Sequence, residues 1–89
     1  MKKVSPEKIR TADFPIKELR EDILREAKIL KIHSGFAELI VERVVFQVND
    51  FLSKHKIVTK EEVEKIVIKE LKKYNKDLAY IYHNRDKII

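Results

Sequence analysis

Between Ser34 and Ser53 the apolar positions run in two interleaved series: Phe36, Ile40, Val44, Val48, Phe51, and Ala37, Val41, Val45, Val48, Leu52. Every step is three or four residues, the spacing of one helical face. Together the series cover more than one face, so the pattern predicts a helix wrapped by other helices or by a partner chain. Glu38 and Glu42 stand one turn apart on a single edge and are expected to face water.

The flanking segments repeat the helical period more weakly. Ile16, Leu19, Ile23, Ala27 and Leu30 predict a first helix starting near Pro15, with Asp13 as its cap. Gly35, the only glycine, reads as the turn or stop that follows. Thr59-Lys60-Glu61-Glu62 has the spacing of a capping box and predicts the start of a third helix, with Val63, Ile66, Val67 and Leu71 inward. Asn75 is expected to cap a fourth helix, with Leu78, Ile81, Tyr82 and Arg85 on one side and Tyr80, His83 and Lys87 on another. Ahead of these, Lys2 to Val4, the proline turn Ser5-Pro6-Glu7-Lys8 and Ile9 to Ala12 read as strand, turn and strand, or as an irregular arm. The expected fold is therefore mainly α: a compact four-helix domain, 14–89, behind a short N-terminal β-hairpin or arm, 1–13.

Composition narrows the function classes. The chain has 89 residues, 44% of them hydrophobic, which suits one domain with a modest core. It has no cysteine, which removes disulfides, thiolate chemistry and cysteine zinc sites. No apolar run reaches the roughly 20 residues of a membrane span. The opening MKKVSPEKIR lacks the apolar core of a signal peptide, so a cytoplasmic address and no membrane partner are expected. Abundant lysine, glutamate and isoleucine fit a thermophile source. Charged residues make up 39% with a net of +5, and many stand beside opposite charges, as on a salt-bridged solvated surface.

Catalytic patterns are missing. His33, His55 and His83 are scattered and no pair has metal spacing. Ser5, Ser34 and Ser53 sit at turns or helix ends, where they serve as caps. One glycine cannot build a phosphate loop. The chain is therefore expected not to be an enzyme. Nucleic acid is a third class of partner, since Lys69, Lys72, Lys73, Lys76, Tyr80 and Arg85 gather phosphate-binding charge and a stacking ring in one region, interrupted by Glu70 and Asp77.

Val58-Thr59-Lys60-Glu61-Glu62-Val63, continued by Glu64-Lys65-Ile66-Val67, and Leu78-Ala79-Tyr80-Ile81 resemble two motifs of one family. This is the ATP-cone domain, the small regulatory nucleotide-binding module found at the start of many ribonucleotide reductases, in their transcriptional repressor and fused to some kinases. Its pattern is a strand pair, a helix opened by phenylalanine-aspartate, an apolar second helix, a threonine-threonine-glutamate-glutamate-isoleucine start and an alanine-tyrosine-isoleucine helix. Phe14-Pro15-Ile16-Lys17 would stand at the first helix start. The resemblance spans nearly the whole chain and is carried chiefly from Phe36 onward. It departs in the hairpin, where Val4-Ser5-Pro6-Glu7-Lys8 replaces valine-x-lysine-arginine-aspartate-glycine. Glu18 stands at the first-helix lysine and His83-Asn84 at the closing tyrosine-arginine.

The resemblance implies a non-enzymatic regulatory domain binding an adenine nucleotide, ATP or dATP, between the N-terminal segment and the starts of helices one and three. Lys3, Lys8, Arg10 and Lys17 would supply positive charge to the phosphates, with Thr59 beside them. The alternative is a degenerate cone that has lost its nucleotide and acts as a self-associating, oligomeric or partner-binding domain, as the broad apolar surface of the second helix suggests.

Overall fold

The apolar stretch at the centre of the chain is helical from end to end. In the computed structural model, which describes residues 8–85, it forms α2 (Ser34–Ser53), between α1 (Ile16–Ile29) and α3 (Lys60–Tyr74). A short α4 (Lys76–His83) packs on α3 and α1. Two strands, β1 (Lys8–Arg10) before α1 and β2 (Ile57–Thr59) before α3, and a 3-10 turn over Thr11–Asp13, where the expected strand Ile9 to Ala12 ends early, complete the order of the described residues. The chain is thus mainly helical, with four helices and a two-stranded antiparallel ribbon involving its N-terminal segment.

The predicted faces meet in one core. α2 contributes Ala37, Ile40, Val41, Val44, Val45, Val48 and Leu52; α1 contributes Leu19, Ile23 and Ala27; α3 contributes Val63, Val67 and Leu71. Leu78, Ala79 and Tyr82 of α4 close the remaining side. The wrapping of α2 is partial, however. Phe36, Leu39 and Phe46 lie on its outer side and are exposed, Phe46 at 67%. Two helices cover the inner arc of α2, and α4 lies beyond them.

The ribbon joins distant parts of the chain. Lys8 pairs with Thr59, Ile9 with Val58 and Arg10 with Ile57. The Thr11 amide extends the contact by donating to the Lys56 carbonyl at 3.0 Å. Ile57-Val58-Thr59 is a β-branched run, suited to a strand, and lies at the end of the stretch that also caps α3. The expected strand Lys2–Val4 and most of its turn lie outside the described residues.

Local caps explain the helix boundaries. Thr59 Oγ1 accepts from the Glu62 amide at 3.1 Å, and the Thr59 amide donates to Glu62 Oε1 at 2.8 Å, the predicted capping box. Asn75 Oδ1 accepts from the Leu78 amide at 2.9 Å and opens α4. Asp13 does not cap α1. Its carboxylate binds Arg10 at 3.0 Å, and Pro15 at the cap position offers no side-chain acceptor. Gly35 is not the stop after α1 either; it sits in the first turn of α2 and donates to His33 Nδ1 at 3.1 Å.

The stop falls at Lys31, whose φ is 59°. The Ile32 amide reaches back to the Ala27 carbonyl at 3.0 Å and the Lys31 amide to the Lys28 carbonyl at 2.9 Å. This is a Schellman ending in which a residue with a Cβ occupies the left-handed position. Because glycine holds that conformation without steric cost, Lys31→Gly should stabilise the domain by about 1 kcal/mol. For a chain of this size that is roughly 4–8 °C in the thermal midpoint. Unfolding followed by circular dichroism reads it, and an unchanged or lowered midpoint contradicts the strain at Lys31.

Candidate functional site

The ribbon sets the geometry of the expected nucleotide site. Ile9 and Val58 point toward the core, Val58 fully buried. Strand alternation therefore places Lys8, Arg10, Ile57 and Thr59 together on the outer face. Three of the five expected residues, Lys8, Arg10 and Thr59, thus share one small surface, with Lys8 directly opposite Thr59. Lys17 is exposed in the first turn of α1. Lys3 lies outside the described residues.

Their availability differs. Lys8 and Lys17 enter no ion pair among the described residues, whereas Arg10 is held by Asp13 at 3.0 Å. Thr59 Oγ1 is committed to the cap of α3. The first turn of α3 also carries Glu61 and Glu62. A phosphate is accordingly favoured on the Lys8 side of the ribbon and disfavoured at the α3 terminus, despite its helix dipole.

A second positive surface lies on α3 and α4. An open groove of about 1260 Å3 runs along them, lined by Lys60, Lys65, Lys69, Lys72, Lys76 and Tyr80, with Ala79 in its floor. None of these five lysines forms an ion pair among the described residues. Glu64, at its edge, accepts from Arg85 Nη2 at 3.2 Å and stands 3.7 Å from His83 Nδ1. Glu61 is the other acid on the groove wall.

The sequence grouping of Lys69, Lys72, Lys73, Lys76, Tyr80 and Arg85 divides in three dimensions. Lys69, Lys72, Lys76 and Tyr80 line the groove. Lys73 turns to Glu70, at 3.1 Å, so Glu70 does not interrupt the groove. Arg85 folds inward: its Nη1 donates to the Tyr82 carbonyl at 2.6 Å, and its guanidinium lies 3.9 Å over the Tyr82 ring. It also bridges Glu64 of α3 to Asp22 of α1, the latter at 3.8 Å. Lys60 and Lys65 were missed as groove residues, although Lys65, Lys69 and Lys72 repeat at helical spacing.

On the other side, α1 and α2 carry basic and acidic residues together, and some of them pair. Arg20 joins α1 to α2 through Glu42 at 2.8 Å, and Arg25 pairs with Asp22. The hydrogen bond from Arg20, and then its charge, hold the Glu42 carboxyl below its usual range; the same bond raises Arg20. His33 and His55 serve locally, His33 at the start of α2 and His55 beside the Phe51 carbonyl at 2.9 Å. Among the described residues no three His, Cys, Asp or Glu side chains converge as a metal site, and no helix is long and apolar enough to cross a membrane. A scan of family models found no match to the chain, and searches of curated proteins and solved structures found none either.

Proposed function

We propose that the chain is a non-enzymatic regulatory domain of ATP-cone type that binds an adenine nucleotide, ATP or dATP, on the outer face of the β1–β2 ribbon. The observation that carries this reading is the register setting Lys8 opposite Thr59, which brings the N-terminal segment to the threonine-led start of α3. Lys8 and Lys17 supply charge to the phosphates as point cations, and Arg10 joins when a phosphate replaces Asp13. Ile57, 54% exposed on the same face, offers apolar surface to the purine. The motif spacings from Thr59 to Ile81 support the same class.

Calorimetric titration with ATP and dATP tests it. A saturable heat is expected, and Lys8→Ala should weaken binding by roughly tenfold or more, the worth of one charge-assisted contact. No heat at millimolar nucleotide removes the proposal.

One observation favours a second reading, self-association. Phe36, Leu39, Arg43, Phe46 and Asp50 follow each other along the outer side of α2, and Arg43 has no ion pair among the described residues. An antiparallel pair of α2 helices centred beside Phe46 sets Arg43 of one copy against Asp50 of the other, twice, where Arg43 joins the Lys54 that pairs with Asp50 within each copy. Sedimentation over a concentration range should show a monomer–dimer equilibrium that Phe46→Glu abolishes. A strictly monomeric native chain at high concentration contradicts it.

A further inference from the structure

Charge is sorted across this molecule in a way the nucleotide reading does not use. On α1 the basic Lys17, Arg20, Arg25 and Lys28 are balanced by Glu18, Glu21, Asp22 and Glu26, and ion pairs Arg20–Glu42, Arg25–Asp22 and Lys54–Asp50 join some of the charges of α1 and α2. Along the α3–α4 groove the opposite holds. Five lysines face two glutamates, and Glu64 is already engaged by Arg85. The local excess of positive charge is therefore fixed by the fold and extends along a groove.

The spacing gives that charge a direction. Lys65, Lys69 and Lys72 stand about 10 Å apart from first to last along α3, at 1.5 Å per residue. At Asn75 the backbone leaves the helix and α4 doubles back along α3, since His83 and Arg85 reach Glu64; Lys76 therefore stands at the turn, and Tyr80, 69% exposed, lines the groove with the α3 lysines. Lysines in line beside a free aromatic ring are the two components of single-strand recognition: cations track the backbone while the ring stacks on a base. A duplex would leave Tyr80 unused, because its base faces are already stacked. An acidic protein segment would meet the same lysines and the partly buried Ile68 of the groove, but it has no base to stack on the exposed Tyr80 ring, and competition with polyglutamate separates the two.

We propose that the α3–α4 groove binds single-stranded nucleic acid, with Lys65, Lys69, Lys72 and Lys76 on successive phosphates and Tyr80 stacked on one base. The site is separate from the ribbon and does not rest on the nucleotide proposal. Binding is sequence-tolerant, since neither lysine nor a stacked ring reads base edges.

Fluorescence anisotropy of a labelled oligouridylate of about 20 nucleotides, titrated with the full chain at several salt concentrations, tests this. Four phosphate contacts predict a slope of log affinity on log salt near −3, taking about −0.7 per contact on a single strand. Lys69→Glu with Lys72→Glu should weaken binding at low salt at least tenfold and flatten the slope. Tyr80→Ala should weaken it roughly 5- to 100-fold with the slope unchanged, and Tyr80→Phe should restore it. Lys28→Glu, on exposed α1, should leave binding near native. Circular dichroism of each variant separates lost binding from lost fold, and Tyr80→Ala, at an exposed ring, supplies a second readout if the double variant unfolds. Absence of binding at low salt overturns the proposal. So does native affinity in the folded double variant, or displacement of the strand by polyglutamate of equal charge more effectively than by unlabelled oligouridylate.

Discussion

The packing of α2's aliphatic face between α1 and α3 is the constraint on which the other features depend. Ile40, Val41, Val44, Val45 and Val48 are all buried on that face, within a helix of 20 residues. Burying each such side chain is worth about 1.5–3 kcal/mol. Valine is a modest helix former, so this run stays helical because of what it packs against. The ordering of α1 and α3 on either side of α2 then fixes where their polar faces can point.

Two consequences follow for the surface. First, α3 must present its opposite side to water, and that side carries the lysines that enter no ion pair among the described residues. Second, the chain entering α3 must run as a strand, because the Thr59 cap demands extended backbone, with φ −103° and ψ 157°. That extended entry, with Ile57 and Val58 before it, is the edge on which β1 pairs. Arg85 completes the arrangement at the far end of α4, tying α1, α3 and α4 through Asp22, Glu64 and Tyr82. Its side chain is only 17% exposed there, so its charge serves the packing of helices more than the surface.

Much of this layout was legible in the residues. The capping box at Thr59, the cap at Asn75 and the period of the apolar stripes depend on contacts within a few residues and appear where expected, except that Phe36 of the α2 series is exposed and α4 buries Ala79 in place of Ile81. What escaped depended on partners distant in sequence. The pairing of Lys8–Arg10 with Ile57–Thr59 spans about half the chain, and nothing local announces it. Gly35 suggested a stop by composition, but the left-handed turn is taken by Lys31, where the backbone hydrogen bonds from Ile32 to Ala27 and from Lys31 to Lys28 outweigh the strain. The candidate sites divide the same way: which lysines exist was plain, while their sorting into paired Lys73 and open Lys69 and Lys72 required the position of Glu70. The outward turn of Phe46 agrees with its helical neighbours Glu42, Arg43, Asn49 and Asp50, all polar, and with its place outside both apolar series.

Native-state amide hydrogen exchange tests the central packing claim most directly. If α2 is clasped between α1 and α3, amides from Ile40 to Val48 exchange only through global unfolding, with free energies equal to that from urea denaturation. Rapid exchange across that segment while the other helices remain protected contradicts the account.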